Sequence, residues 1–253
     1  MIDWQVTYAA IWRQRKEYLR PVYALDSIAL SALLGIDNQK QQLVSNTERF
    51  LAGYPANNVL LWGARGTGKS SLIKALLHDY KDSGLRVIEV DKLDLQYLPE
   101  IVDDIRTLPQ RFIIYCDDLS FERSDSQYKA LKSVLEGSIE LPPENVLVYA
   151  TSNRRHLLPE LLRDNLDTRL VNDEVHYSDA VEENISLADR FGLCLGFYPQ
   201  STQNYLAIID SYFPDYAGSR EYLHQLALDY AHQRAAKSGR TAKQFFQAGL
   251  GSV

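Results

Sequence analysis

The feature that most constrains this 253-residue chain is the run Gly63-Ala64-Arg65-Gly66-Thr67-Gly68-Lys69-Ser70, which fits GxxxxGK followed by Ser or Thr. At ordinary residue frequencies that pattern arises by chance in about one chain in a hundred of this length. Its surroundings narrow the reading further. Residues 59–62 have the β-branched and aromatic content of a strand, and residues from 69 onward read as a helix. Strand, glycine loop and helix N-terminus in that order make a phosphate cradle: the glycines let successive backbone N–H groups face the anion, and the helix end adds positive potential. Gly63, Ala64, Arg65, Gly66, Thr67, Gly68, Lys69, Ser70 and Ser71 are therefore the expected nucleotide-binding set. Lys69 is placed to reach the β and γ phosphates, and the Ser70 hydroxyl to ligate Mg²⁺. Arg65 and Thr67 fill variable positions and are assigned backbone contacts only.

The rest of the chain supplies a sheet for that loop. Residues 59–62, 86–90, 111–116, 145–150 and 193–197 read as strands, and FIIYC and VLVYA are nearly continuous apolar runs, as expected for strands covered on both faces. Helical stretches of crossover length lie at 69–83, 98–108, 126–136 and 178–190, ended by Gly84, Pro109, Gly137 and Gly192. A further helix is expected over 38–52. After Pro199 only helical patterns follow, at 200–212, 219–237 and 241–248. Residues 2–34 also read as helical, because Trp4, Tyr8, Ile11 and Trp12 fall at i, i+4, i+7 and i+8. The expected architecture is α/β: a five-stranded parallel sheet sandwiched by helices, with a small all-helical lid. Residues 1–34 form an N-terminal helical extension, 35–198 the nucleotide-binding core and 199–253 the lid.

The strand over 111–116 runs into Asp117-Asp118. A hydrophobic strand that carries a carboxylate to the sheet edge is the Walker-B arrangement, so Asp117 is the expected Mg²⁺ ligand opposite Ser70. Asp118 is then the expected base for the attacking water. Glu122, four residues on, is an alternative base or a surface residue, and an Asp pair after a strand also suits a helix cap. The next strand ends Ala150-Thr151-Ser152-Asn153. The Asn153 amide can sit between that carboxylate and the γ-phosphate and bond the water, or simply occupy a turn.

Composition excludes several classes. With 27 Lys plus Arg against 33 Asp plus Glu the net charge is −6, which argues against coating nucleic acid through bulk charge. No apolar run has the roughly 18 residues of a membrane helix, and no signal-peptide core opens the chain, so a cytoplasmic setting is expected. Cys116 and Cys194 stand too far apart for a metal motif and are expected to be buried thiols.

Taken together, LLGIDNQKQQL, LLWGARGTGKSSL, FIIYCDDLSFE, VLVYATSNRRHLL, LADRFGLCLGF and SGRTAKQF resemble the AAA+ ATPase superfamily of P-loop NTPases. Within it the chain is most similar to an uncharacterised bacterial family of predicted AAA+ ATPases, known only as a domain of unknown function. The resemblance covers about residue 33 to the C-terminus. It implies that Gly35 and Ile36 contact the adenine and that Asn153 is the sensor-1 residue. It implies too that Arg190 is an arginine finger reaching a neighbouring subunit's site, and that Arg240 is the sensor-2 arginine of the lid. Arg163 and Arg169 are alternatives to Arg190. Arginine suits such positions because its fixed charge and forked donors match phosphate oxygens. The chain departs from the common pattern by ending its Walker B in Asp-Asp rather than Asp-Glu, a shortening that slows hydrolysis if the base retreats.

The expected activity is thus Mg²⁺-dependent ATP hydrolysis in a homo-oligomer, coupled to work on a protein client. The alternative is a slowly hydrolysing ATP-dependent switch or loader. A GTPase is disfavoured by the lack of an Asn-Lys-x-Asp segment, and a small-molecule kinase by the sensor and finger positions. Nucleic-acid contact is weakly supported; Arg154 and Arg155 are candidates for touching DNA or a partner, or else a solvated helix start, and no membrane partner is expected.

Overall fold

The computed structural model describes residues 2–121, 131–132, 134–135, 141–155, 157, 169–171, 174–176 and 188–249. Of the expected helix over 126–136 only residues 131–132 and 134–135 are described, and these are helical; most of that over 178–190 and the candidates Glu122 and Arg163 lie outside the described residues, as does the side chain of Arg169.

Two short strands open the chain, β1 (Ala9–Arg13) and β2 (Tyr18–Pro21), followed by helix α1 (Asp37–Leu51). Then come β3 (Val59–Gly63), α2 (Lys69–Tyr80), β4 (Leu85–Glu89), α3 (Leu98–Ile105), β5 (Arg111–Cys116) and β6 (Val146–Ser152). The strands β7 (Arg169–Val171) and β8 (Glu174–His176) pair antiparallel as a separate ribbon, and β9 (Leu193–Phe197) returns to the main sheet. Helices α4 (Thr202–Tyr212), α5 (Arg220–Gln233) and α6 (Gly239–Gln247) close the chain. The serines before them, Ser201, Ser219 and Ser238, each accept a hydrogen bond from a backbone N–H of the first turn, which fixes where these helices start.

Among the described residues the main sheet has seven strands in the order β2-β1-β4-β5-β6-β3-β9, all parallel except β2. Because β4, β5, β6, β3 and β9 run in register, Gly63 and Phe197 finish side by side, and Ser152 finishes beside Trp62. Loops leaving these strands therefore converge on one edge, where ligands of open α/β sheets bind. One apolar cluster, with Phe112, Ile114 and Val148, lies on one face of the sheet; another, with Leu72, Leu76, Ile113 and Tyr149, lies on the other. A third, built on Tyr205, Leu223, Ala227 and Phe245, holds the C-terminal helices together.

The N-terminal segment differs from its helical expectation: it is a strand hairpin, and β1 adds to the sheet beside β4, so five strands become seven. Its aromatic spacing fits a helical face, but the rings go to separate partners. Trp4 meets Phe112 edge-on at 5.0 Å, Tyr8 lies under the Arg86 guanidinium at 4.8 Å, and Trp12 packs on Tyr97 at 5.5 Å. Buried Arg86 fastens the segment by donating to the carbonyls of Trp4 and Gln5. A second correction concerns Cys194, which is exposed: on β9 the residues Leu195 and Phe197 take the core face, leaving Cys194 on the other. Cys116 is buried as expected, and burial pushes its thiol up to about 12.

Candidate nucleotide site

At the carboxyl edge of the sheet a cleft of about 930 Å³ opens between the core and the C-terminal helices. The loop between β3 and α2 forms its floor, and residues Arg65 to Ser71 all line it. The loop's path depends on glycine. Gly63 has φ 128°, and a Cβ there would lie 1.9 Å from the Phe197 carbonyl oxygen. That closeness comes from the β3–β9 pairing, which also lets the Ala64 N–H donate to the same oxygen at 3.0 Å. Gly66, at φ 77°, would place a Cβ 2.8 Å from Ser238 Oγ, the cap of α6. Loop and lid thus touch.

Lys69, 7% exposed, donates from Nζ to the carbonyls of Gly63 and Ala64, each at 2.8 Å, and to Asn153 Oδ1 at 3.5 Å. Burial draws its pKa below the ordinary lysine value, with Asp118 and Asp117 opposing. Ser70 Oγ donates to Asp117 Oδ1 at 2.8 Å, which brings the loop hydroxyl and the β5 carboxylate together from opposite sides of the cleft floor. Thr151 Oγ1 donates to the same oxygen at 2.5 Å and accepts the Asp118 N–H at 2.9 Å. Burial alone would raise the Asp117 carboxyl, but the hydroxyl donors, Thr151 foremost, outweigh it and hold the group below the usual carboxylate range. The donor set is two hard oxygens, one anionic, which suits a magnesium ion that keeps waters and takes phosphate oxygens for its remaining positions.

Asp118 adopts a left-handed conformation, φ 51°, rare for a residue other than glycine. Its N–H is held by Thr151 and the next N–H, of Leu119, by the Thr151 carbonyl at 2.7 Å, so β6 fixes the bend. The carboxylate is engaged at both oxygens: the Asn153 amide donates to Oδ1, and Arg65 Nη2 stands 3.9 Å from Oδ2. Arg65, assigned only backbone contacts from sequence, thus reaches the candidate base.

The other walls come from both ends of the chain. Ile28, Leu33, Leu34 and Ile36 line the cleft from the strap that leads out of β2, and Ile208 and Tyr212 face them from α4. Gly35 itself is not part of the lining; a Cβ on it would lie 2.5 Å from Gln200 Oε1, where the strap meets the start of the lid. Arg240 lines the cleft from the first turn of α6, with Lys243 beside it. Arg190 does not line it: it lies before β9, at the sheet edge where the strands start, opposite the loop. Sequence reasoning missed Thr151 and Lys243. Both carried a signal, since Thr151 lies in the strand that ends just before Asn153 and Lys243 follows Arg240 by three on a helix.

A family model matches residues 5–253, nearly the whole chain, under the description Protein of unknown function (DUF815). The chain belongs to that family. This DUF815 chain is also similar to a curated relative, the 26S proteasome regulatory subunit 6B homolog of Encephalitozoon cuniculi (strain GB-M1). The two are 30% identical over 164 residues, which is 54% of this chain and 42% of the relative. Among solved structures it superposes on the Thermotoga maritima RuvB Holliday junction branch migration motor with a TM-score of 0.56 at 17% identity, covering 87% of this chain and 63% of that one. A proline-to-glycine variant of the same motor gives a TM-score of 0.59 at 14% identity, covering 88% and 65%. The DUF815 chain thus spans less than two thirds of each of these three relatives, and its fold is the RuvB-like AAA+ P-loop fold. Among the described residues no helix is long and apolar enough to cross a membrane.

Proposed function

We propose that this protein binds Mg²⁺-ATP between its core and lid and hydrolyses it in a homo-oligomer, converting turnover into movement of a bound protein client in the cytoplasm. The observation that carries the reading is the Ser70–Asp117 contact at 2.8 Å, which joins a glycine-loop hydroxyl to a strand-end carboxylate over the N-terminus of α2. The AAA+ fold and the similarity to a proteasome regulatory subunit homolog support ATP-dependent action in general.

In this reading Ser70 and Asp117 would hold the cation, whose charge offsets that developing on the phosphates. Loop N–H groups and the α2 N-terminus bind the phosphate chain, and Lys69 leaves the Gly63 and Ala64 carbonyls to pair with its end. Asn153 orients a water, Asp118 takes its proton as oxygen bonds to the γ-phosphorus, and the bond to the bridging oxygen breaks to release ADP. Arg240 reports γ-phosphate occupancy to α6. Arg190, outside its own cleft, acts in a neighbour's.

The test is steady-state ATP hydrolysis against protein concentration, with Arg190→Ala and Lys69→Ala alongside. A steep rise lost in Arg190→Ala supports a shared site; unchanged ATP affinity in Lys69→Ala refutes the site. The engagement of both Asp118 oxygens favours a second reading, a slow ATP-dependent switch or loader, and flat low turnover with tight ATP binding would select it.

A further inference from the structure

Tyr115 is an anomaly in β5. Its neighbours on the strand, Phe112, Ile113, Ile114 and Cys116, are buried side chains with no oxygen, and Tyr115 is itself 4% exposed. Its ring packs in the cluster of Ile73, Leu77 and Val87, between the sheet and α2. A phenylalanine would fill that space. The hydroxyl instead comes up beside the side chains of Ser70, Asp117 and Thr151, near enough to help hold the Asp117 carboxyl low, yet with none of them does it reach the geometry of a full hydrogen bond. A buried hydroxyl short of a full hydrogen bond is costly, and one that stands beside the candidate cation ligands has a partner within reach once that site is filled.

The neighbours say which partner. Asp117 Oδ1 already receives two hydroxyl protons, from Ser70 and Thr151, and both donors have geometry that Tyr115 lacks. A magnesium ion bound through one carboxylate and one hydroxyl retains waters, and each bound water presents protons that need acceptors. A phenol oxygen can accept such a proton while its own proton turns to a neighbouring oxygen.

We propose that Tyr115 is a positioning residue of the divalent-cation site, its oxygen accepting a hydrogen bond from a cation-bound water and so tightening the hold of Ser70 and Asp117. The assignment rests on the Mg²⁺-nucleotide reading of the cleft. It makes Tyr115 matter for the cation and not for the nucleotide alone: groups outside the ligand shell that orient a metal site are worth about tenfold or more in metal affinity.

The test is calorimetric binding of a non-hydrolysable ATP analogue to the full chain, once in EDTA and then across graded MgCl₂, for wild type and Tyr115→Phe. The expected result is equal affinity in EDTA, and a half-saturating Mg²⁺ concentration raised about tenfold in the variant. In EDTA Tyr115→Phe should melt no lower than wild type, since it removes a group short of a full hydrogen bond. An unchanged Mg²⁺ dependence overturns the proposal, as does equal weakening with and without Mg²⁺, which marks a packing role. Wild type that binds the analogue no better than Lys69→Ala, or no better with Mg²⁺ than without, refutes the underlying site and the proposal with it. Tyr115→Met, smaller but flexible and also lacking the hydroxyl, replaces the phenylalanine variant should that fail to fold.

Discussion

Replacing Thr151 with valine isolates one hydroxyl that serves two aspartates. The side chain is 1% exposed, and valine copies its shape, so the change subtracts hydrogen bonds with little repacking. Two are lost: the donation to Asp117 Oδ1 at 2.5 Å and the acceptance of the Asp118 N–H at 2.9 Å. A hydrogen bond to a charged partner is worth about 1.5–3 kcal/mol, and the lower end applies because Asp117 reaches solvent; an N–H left without an acceptor costs about 1 kcal/mol more. The expected loss is roughly 2–3 kcal/mol, or a fall in Tm of roughly 5–10 °C for a chain of this size. The pH dependence separates the two parts. Asp117 has a folded pKa below its unfolded value, so its share is fully present above the ordinary carboxylate pKa of about 3.9 and disappears as the pH falls through the lower folded value. The Asp118 N–H carries no charge, and its share persists. Thermal unfolding of wild type, Thr151→Val and Thr151→Ser, the last retaining the hydroxyl, measures both. A gap under about 0.5 kcal/mol at neutral pH, or one that widens on acidification, would refute the reasoning.

Three further outcomes are expected. Asp118→Asn keeps nucleotide affinity in equilibrium binding while single-turnover hydrolysis falls by about a hundredfold or more, the usual worth of a positioned base; undiminished turnover would move the base elsewhere. Gly63→Ala loses at least ~3 kcal/mol in denaturant unfolding, because a Cβ 1.9 Å from the Phe197 oxygen forces β3 and β9 apart in a backbone region that L-residues avoid. Arg65→Ala changes the basal ATPase rate by less than about fivefold, since a 3.9 Å ion pair between groups 76% and 58% exposed is worth under ~1 kcal/mol; a larger change would show that Arg65 acts on the phosphates as well.

Where a residue's neighbours are local, the chain could be read directly. The glycine loop, the five parallel strands and the three lid helices follow from patterns spanning a dozen residues, and the loop's Ser70 stands against the strand-end Asp117. The hairpin was illegible for a physical reason. Strand β1 carries Ala9 and Ala10 in place of β-branched residues, and it is stabilised by β4, which lies some 75 positions further along the chain. Thr151 belongs to the same class of miss in part: its strand phase was visible, but its two carboxylate neighbours come from β5, and only pairing of β5 with β6 brings them within reach. Arg65 escaped because a variable loop position gives no hint that Asp118 will be turned toward it by a left-handed backbone.

The strap between β2 and α1 is pinned to α2, where the Leu30 N–H donates to Asp79 and Lys74 approaches Asp26 at 3.7 Å, and to α1, where Lys40 bonds the carbonyls of Leu30 and Leu33. The same stretch walls the cleft and continues backward into the outermost strands. A filled cleft and an ordered outer hairpin are therefore two faces of one cooperative unit: amides of β1 and β2, remote from any phosphate, should exchange with solvent more slowly when nucleotide is bound, and a chain begun at residue 35 would lack a wall of its own binding site.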